Sequence, residues 1–476
     1  MPERLLGVIV MVKKGKMLLM IILMSLSIIG CNIVRRLPEN PPAQQEEQGK
    51  DSSEKSKGNQ PENHQNIEEN INDENIEEDK ELTEKARREK RTEEDNVISP
   101  EDIQKDGNQS NQGQGQIQVL EEFNTTIPDR VTLNLKYDQY AIPLDYFLVT
   151  TETLNIRKEP HSSAPVVYQA NYFEKLNVLQ RVKGEFLPNY QSDNWYKVAL
   201  KEGDKIQYGY VFGSLGEARS FHFDKMLNEV NKLQERVLNN DMAYIYNYQN
   251  VRGLPPAHNG NTADDYKRNQ DQSAPGYIDE AKTDFRYFSD GMLVSILEDN
   301  HEFYKVSTPS FEGQYWIPKK YVHFGNAPKE ITKVIVIDDT NQNEAVFELI
   351  EGKWNIISYT FATTGVADEY KYETPKGHFM AIQRREQFLY LKDGTNQIAG
   401  YAPYAIRFSG GGYVHGVPVD YQFTPEGEKI DPGHQEYLFT IGTTPRSHKC
   451  VRNYTSHAKF LYDWMEIGKG AVIIID

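Results

Sequence analysis

The sequence predicts a mainly β protein in which three folded parts follow a long polar N-terminal segment. Two stretches of short alternating strands, separated by turn residues, predict two small β-barrels at 147–216 and 243–325. A third stretch, 331–476, has the pattern of a strand meander with a single helix, which is typical of a β-sandwich with one packed helix. A chain of 476 residues is too long for one hydrophobic core, so several domains are expected.

Residues 1–31 have the features of an export signal. Lys13, Lys14 and Lys16 precede the apolar run 17–29, which is shorter than the roughly 20 residues that a membrane span needs. The ending IIGC at 28–31 resembles the lipobox of bacterial lipoproteins. That resemblance implies lipidation at Cys31 and an exported protein held to a membrane of the cell envelope by a lipid anchor. An uncleaved membrane anchor is the alternative.

Residues 32–122 are predicted to form a disordered acidic tether. The segment contains no Phe, Tyr or Trp, and between Glu39 and Ser110 it carries 22 acidic and 10 basic residues. Most of the formal net charge of −17 therefore belongs to the tether. Its apolar residues are too sparse to offset the entropy cost of ordering the backbone. No basic patch with interleaved aromatic residues occurs, so nucleic acid is not an expected partner.

The first predicted barrel carries three recognisable peptides. They are LNIRKEP at 154–160, WYKV at 195–198 and GYV at 209–211. These peptides resemble those of a bacterial SH3 domain, and the resemblance covers 147–216. The YKV at 304–306 repeats the YKV of the first set, which indicates an internal duplication and a second SH3-like domain at 243–325.

A helical connector is predicted between the two barrels, over 221–240. Its apolar residues Met226, Val230, Leu233 and Val237 recur at three- and four-residue spacing, as on one face of an amphipathic helix.

The candidate nucleophile is Cys450, one of two cysteines in the chain, which lies in the peptide SHKCVRN at 447–453. A helix-like segment, 455–465, follows. A thiol close to a helix start lies at the positive end of the backbone dipole, which predicts a lowered pKa and a thiolate. His415 is a candidate base. The alternative is a buried cysteine acting as a small hydrophobic residue, but the Ser, His and Arg around it favour a catalytic thiol.

The region 331–476 is similar along its length to the L,D-transpeptidase catalytic domain of bacterial cell-wall enzymes. The resemblance is carried by five peptides: TG at 364–365, TPKGHF at 374–379, YAIRF at 404–408, HG at 415–416 and SHKCVR at 447–452.

This resemblance implies acyl transfer through a thioester, without cofactor. His415 would act as general base and proton donor to Cys450, whose thiolate attacks a peptidoglycan stem tetrapeptide and expels the terminal D-amino acid. An amine of a neighbouring stem would then resolve the thioester. Backbone N–H groups of Lys449 and Cys450 are the expected oxyanion donors. The histidines show no spacing typical of a metal site.

The resemblance also implies roles for residues around the nucleophile. Residues expected to shape the site are Lys449, His448, Ser447 and Arg452, and those expected to bind substrate are Tyr404, Arg407 and Gly416. At position 449 the family has glycine, whereas this chain has lysine. If the position requires a positive φ, a lysine there is expected to strain the backbone. The positive charge of Lys449 is expected to favour the thiolate form of Cys450.

Other functions remain open from the sequence. Water as acceptor gives an L,D-carboxypeptidase, and loss of activity through Lys449 gives an inactive cell-wall-binding lipoprotein. A cell-wall endopeptidase of the kind joined to SH3 domains places Cys before His, whereas here His415 precedes Cys450. The Thr-Leu-x-Thr-Cys motif of sortases is absent.

Overall fold

The computed structural model describes Ile98 and residues 117–202, 205–392 and 395–476. The predicted export signal, with Cys31, and most of the predicted tether lie outside the described residues. Within the described part, strands predominate and two α-helices occur, which confirms the predicted mainly β fold. No helix in that part is long and apolar enough to cross a membrane.

An eight-stranded sheet, called here the first SH3-like sheet, holds most of the N-terminal strands. Its order in space is β5-β4-β8-β7-β6-β3-β9, with β1 also paired to β6. The strands in chain order are β1 (Val119–Glu122), β2 (Thr132–Leu133), β3 (Asp145–Val149), β4 (Thr153–Arg157), β5 (Val166–Asn171), β6 (Lys175–Leu187), β7 (Ser192–Glu202), β8 (Lys205–Phe212) and β9 (Gly216–Ser220).

The start of this region differs from the sequence prediction. The tether was expected to continue to Glu122, but β1 forms an antiparallel pair with β6, so the prediction is wrong for 119–122. The side chains of β1 are all exposed, so its backbone hydrogen bonds to β6 are what hold it in the sheet. Strand β2 belongs to a different sheet, described below.

The second SH3-like sheet has the same strand order as the first. The order β12-β11-β15-β14-β13-β10-β16 reproduces β5-β4-β8-β7-β6-β3-β9, strand for strand. The repeated YKV peptides lie on the equivalent strands β7 and β14, in agreement with an internal duplication. The strands are β10 (Met242–Ile245), β11 (Ser273–Tyr277), β12 (Phe285–Ser289), β13 (Leu293–Asp299), β14 (Phe303–Thr308), β15 (Phe311–Pro318) and β16 (Val322–His323).

Helix α1 (Phe223–Asn239) joins the two SH3-like sheets. The four apolar residues that predicted it are all buried, in a cluster that also contains Val334 and Trp354 of the C-terminal region. The indole Nε1 of Trp354 donates a hydrogen bond to Gln234 Oε1 at 2.9 Å. Each such buried side chain contributes about 1.5–3 kcal/mol, so α1 is packed into the core of the C-terminal region.

The C-terminal region is a sandwich of two sheets with one helix. Its strands are β17 (Lys333–Asp338), β18 (Asn343–Ile350), β19 (Lys353–Phe361), β20 (Gly377–Met380), β21 (Gln383–Leu391), β22 (Ile398–Ser409), β23 (Gly412–His415), β24 (Val419–Asp420), β25 (Gln422–Phe423), β26 (Lys429–Ile430), β27 (Val451–Arg452) and β28 (Gly470–Ile475); the helix is α2 (Thr455–Trp464).

The two sheets are not simple antiparallel meanders. The six-stranded sheet has the order β2-β19-β18-β17-β28-β20, and the five-stranded sheet has β21-β22-β23-β27 with β24 beside β22. The pairs β2–β19, β17–β28 and β23–β27 are parallel. The meander predicted for the first three strands is confirmed, since β17–β18 and β18–β19 pair antiparallel. The parallel pairs were not predicted, because hydrophobic alternation reports strands but not the direction of their partners. Strands β25 and β26 pair only with each other among the described strands.

The second SH3-like sheet shares its hydrophobic core with this sandwich. Met292 forms a β-bridge with Phe379 of β20, and both side chains are fully buried. Gly291 has a φ of +82°, and a Cβ there would lie 1.8 Å from the carbonyl oxygen of Phe408. Only glycine permits so close an approach of two backbones. The second sheet is therefore packed directly against the sheet that carries the candidate site.

Candidate active site

The pairing of β23 with β27 brings Cys450, the residue directly before β27, close to the strand that carries His415. His415 pairs with Arg452 in parallel register, and Cys450 packs in one cluster with Tyr413 of β23. Side chains two residues apart on a strand share a face. Phe388 contacts this face, since its ring packs with Tyr413 and Cys450 and lies 5.6 Å from the His415 ring, centroid to centroid.

The His415 imidazole is oriented as a base. Its Nδ1 lies 2.6 Å from the carbonyl oxygen of Gly416. Because a carbonyl only accepts, Nδ1 carries the proton and Nε2 is the acceptor in the neutral ring. Burial lowers the pKa of His415 to about 3, and the charge of Arg452 acts in the same direction, whereas the Gly416 contact opposes them. The imidazole is therefore neutral near pH 7.

Gly416 supports the base through its backbone. A Cβ at this position would lie 2.9 Å from Thr455 Oγ1 and 3.1 Å from Pro403 Cγ, so a side chain does not fit without displacement. Thr455, at the start of α2, also accepts the backbone N–H of Val417 on Oγ1. This close packing fixes the Gly416 backbone, whose carbonyl oxygen accepts from His415 Nδ1.

The thiol of Cys450 is buried, with 6% of the residue exposed. Its Sγ donates to the carbonyl oxygen of Gly411 at 3.5 Å. Burial raises the pKa of Cys450 to about 11, while the Tyr413 backbone N–H and the charges of Arg452 and Lys449 act in the opposite direction. The thiol is therefore protonated near pH 7. No hydrogen bond joins it to His415 within the described residues.

The sequence predicted the opposite direction for the thiol pKa, and this prediction is wrong in the free protein. The expected helix dipole does not act beside the sulfur, because β27 lies between Cys450 and the first residue of α2, Thr455. Dipole effects fall off within the first turn, so desolvation is the larger effect.

A set of hydrogen bonds fixes the turn that carries the nucleophile. Ser447 Oγ donates to the carbonyl oxygen of Cys450 at 2.5 Å, and the Ser447 N–H donates to Thr364 O at 3.1 Å. Thr374 Oγ1 donates to Lys449 O at 3.0 Å. The two threonine-containing peptides of the sequence motif therefore hold the turn in position, and Ser447 is part of its framework.

Lys449 has a φ of +63°, so the condition under which the sequence predicted strain is met. Its backbone N–H donates to Tyr372 O at 2.8 Å, which makes its predicted role as an oxyanion donor wrong in this conformation. The Cys450 N–H remains the candidate donor. The ammonium Nζ lies 3.1 Å from Gly410 O, 3.6 Å from Asp271 Oδ2 and 4.8 Å from the centre of the Tyr372 ring.

His448 and Arg452 flank the nucleophile in different ways. His448 is exposed, with its ring edge-on to Tyr372 at 5.2 Å between centroids. The backbone of Arg452 exchanges two hydrogen bonds with Thr363, at 2.8 and 3.0 Å. The Arg452 guanidinium lowers the pKa of both His415 and Cys450, which favours a neutral base and an ionised thiol.

Tyr404 does not lie beside the nucleophile. Its φ is +55°, and its ring lies 6.0 Å from Tyr462 and 5.4 Å from His434, with the Lys459 ammonium 5.6 Å away. Tyr462 and Lys459 belong to α2, which packs on the other face of β22. The structure therefore places Tyr404 against the helix.

Arg407 lies on β22 opposite Tyr413, but its guanidinium is engaged by the second SH3-like sheet. Its Nη1 lies 2.6 Å from Asp290 Oδ2 in a buried ion pair, and the guanidinium lies over the ring of Tyr248 at 4.4 Å. The Tyr248 hydroxyl is in turn 3.4 Å from that of Tyr413. These contacts make Arg407 part of the interface between the two sheets.

Three site residues that the sequence did not predict come from the connections between strands of the second SH3-like sheet. Asp271, Asp290 and Tyr248 lie far from the motif in sequence, and no periodicity marks them. The lysine at a usual glycine position was the available signal, because a buried ammonium needs a carboxylate partner. Within the described residues, no group of His, Cys, Asp or Glu has an arrangement that could hold a metal ion.

Two parts of the chain match known domain families. Residues 332–475 match the L,D-transpeptidase catalytic domain, and residues 152–217 match the bacterial SH3 domain. These matches confirm the two resemblances predicted from the sequence. The chain therefore carries an L,D-transpeptidase catalytic domain and a bacterial SH3 domain. No curated protein matches it.

Solved structures similar to part of the chain carry the same family name. An L,D-transpeptidase from Mycobacterium smegmatis is 17% identical, with 34% of this chain and 73% of that one covered and a TM-score of 0.24. L,D-transpeptidase 3 from Mycobacterium tuberculosis is 18% identical, with 34% and 74% covered and a TM-score of 0.23. An L,D-transpeptidase from Stackebrandtia nassauensis is 22% identical, with 30% and 56% covered and a TM-score of 0.21.

Proposed function

We propose that this protein is a cysteine-dependent acyltransferase, an L,D-transpeptidase that acts on peptidoglycan stem peptides. The family of its catalytic domain acts on peptidoglycan peptides. The observation that carries the proposal is that Phe388 packs against both the cluster that contains Cys450 and the ring of His415, within the matched domain.

The first half-reaction forms a thioester. The thiol of Cys450 rotates away from Gly411 O toward Nε2 of His415, which takes its proton. The sulfur attacks the carbonyl carbon between the L-centre and the terminal D-residue of a stem tetrapeptide, and the C=O electron pair moves to oxygen. The C–N bond then breaks, and the imidazolium of His415 gives its proton to the departing D-amino acid.

The second half-reaction transfers the acyl group. An amine of a neighbouring stem attacks the thioester carbonyl, His415 accepts the proton of that amine, and the C–S bond breaks. Proton return from the imidazolium restores the thiol. The Cys450 N–H is the candidate donor to the oxyanion in both steps. In other acyl-transfer enzymes one such donor lowers the activation free energy by roughly 3–4 kcal/mol. The Arg452 and Lys449 charges stabilise the thiolate.

The lipid anchor is part of the proposal. Cys31 at the end of the lipobox-like peptide would carry the lipid, and the exported protein would be held to a membrane of the cell envelope, with its catalytic domain toward the wall. Metabolic labelling with palmitate tests this: we expect a labelled native protein and an unlabelled Cys31→Ser variant. Label that persists in Cys31→Ser contradicts anchoring at this residue.

Exposure to a carbapenem followed by mass measurement of the intact protein tests the nucleophile. We expect one adduct on the native protein and none on Cys450→Ala, with His415→Gln acylated about 10²–10⁴-fold more slowly. An unmodified native protein would favour the inactive wall-binding alternative.

Incubation with tetrapeptide-containing muropeptides tests the acceptor. Cross-linked dimers are the expected product. Tripeptides without dimers would identify the protein as an L,D-carboxypeptidase instead.

A further inference from the structure

The ammonium of Lys449 is a buried cation beside the nucleophile. Only 6% of Lys449 is exposed, and its backbone is held in the left-handed region at a φ of +63°. A buried ammonium is costly unless a carboxylate and other acceptors surround it. Its neighbours are the Asp271 carboxylate, Gly410 O and the face of Tyr372.

Asp271 is itself held in position by the segment between β10 and β11 of the second SH3-like sheet. It lies just before β11, and its carboxylate accepts from Asn250 Nδ2 and Gln272 Nε2, both at 2.9 Å. Gln272 is seated against the turn after β22, since a Cβ on Gly410 would lie 2.5 Å from Gln272 Cβ. The segment that carries Asp271 therefore packs on the same turn that accepts the ammonium of Lys449.

We propose that Asp271 is a positioning residue of the catalytic site: its carboxylate holds the Lys449 ammonium beside the Cys450 thiol, so the second SH3-like sheet is part of the catalytic unit. This inference rests on the proposed function. Asp271 acts through Lys449 and makes no described contact with the sulfur.

The charges around the two groups give the direction of the effect. Lys449 and Arg452 are the cations that lower the pKa of Cys450, together with the Tyr413 N–H. Asp271 and Asp290 are the carboxylates that raise the pKa of Lys449 against the effect of its burial. Without Asp271, the Lys449 charge loses its closest described carboxylate, so the ammonium deprotonates or turns toward solvent. In either case the thiolate loses a nearby cation.

The experiment measures the rate of iodoacetamide alkylation against pH in the full-length Cys31→Ser protein, in which Cys450 is the single thiol. We expect Asp271→Asn to move the alkylation profile to higher pH by about one unit, which is about a tenfold slower reaction at fixed pH. Lys449→Met should do the same. The double variant Asp271→Asn/Lys449→Met should react no more slowly than Lys449→Met alone, because the two residues act through one charge.

Two further variants separate a positioning effect from damage to the fold. Asp279→Asn removes a partly exposed carboxylate that accepts from Thr283 in the turn between β11 and β12, and it should leave the profile unchanged. Asp271→Glu should restore part of the shift. If Asp271→Asn does not fold, the double variant is still usable because it contains no buried, unpaired ammonium. Its alkylation profile is then compared with that of Lys449→Met. Equal profiles support the inference, and a slower double variant overturns it.

The outcomes are distinct from those that test the function. An unchanged profile in Asp271→Asn, or additive effects in the double variant, would overturn the inference even if cross-linked muropeptides are formed. A shifted profile with non-additive effects, in a protein that forms neither dimers nor tripeptides, would support the inference and overturn the proposed function.

Discussion

The pH dependence of thiol alkylation follows from the burial of Cys450. Its pKa is raised from the ordinary value of 9.0 to about 11. At pH 8, about one thiol in 1,000 is then ionised, against about one in ten for an exposed cysteine, which is a hundredfold difference, or ~2.7 kcal/mol. We expect the iodoacetamide rate of the Cys31→Ser protein to be about a hundredfold lower than that of an exposed thiol at pH 8, and to rise tenfold per pH unit up to about pH 11.

The matched reference is a thiol in an exposed turn of the same protein. Ser214, in the turn Gly213–Leu215, is exposed, and Ser214→Cys in a Cys31→Ser/Cys450→Ala background supplies it. A Cys450 rate that levels off below pH 7 would refute the reasoning, because it would show a thiolate–imidazolium pair in the free protein. Equal rates for the two thiols would refute it as well.

Three other substitutions test the electrostatics and framework of the site. Arg452→Gln removes a cation near the sulfur, so the pKa of Cys450 should rise and its alkylation at pH 8 should slow; an unchanged rate contradicts this role. Arg407→Met leaves the Asp290 carboxylate buried and unpaired, which should lower the free energy of unfolding in urea by about 3–5 kcal/mol, and Asp290→Asn in addition should restore part of that loss. Ser447→Ala removes the hydrogen bond to Cys450 O, which should cost about 1 kcal/mol of unfolding free energy and slow carbapenem acylation relative to the parent.

Local sequence patterns predicted the strands and α1, because the formation of a strand or a helix depends mainly on residues that are near in sequence. The apolar spacing of 226–237 lies on the buried face of α1, and the repeated YKV peptides lie on equivalent strands of the two SH3-like sheets. Parallel pairing of β17 with β28 was not predictable in this way, since it joins the first and last strands of the C-terminal region. The pattern of each strand is the same for either direction of its partner.

The candidate site was predicted only in part, for a related reason. The motif peptides identify Cys450 and His415 as a candidate pair, and the structure places the cluster that contains Cys450 and the ring of His415 around Phe388. The pKa of the thiol depends on its burial in the folded protein. The Lys449 N–H is not free to bind an oxyanion because it donates to Tyr372 O, a residue distant in sequence. Asp271 lies in a polar insertion whose composition alone is typical of a loop.

The packing of the second SH3-like sheet on the catalytic sandwich affects how the protein is shortened for biochemical work. A cut at residue 331, where the sequence pattern changes, would uncover side chains such as Phe379 and Phe408 that pack with Met292. Each large apolar side chain returned to water costs about 1.5–3 kcal/mol, and the Arg407 guanidinium would lose Asp290. A soluble fragment for crystallisation or inhibitor screening should therefore begin before β2, which pairs with β19, and keep both regions in one polypeptide.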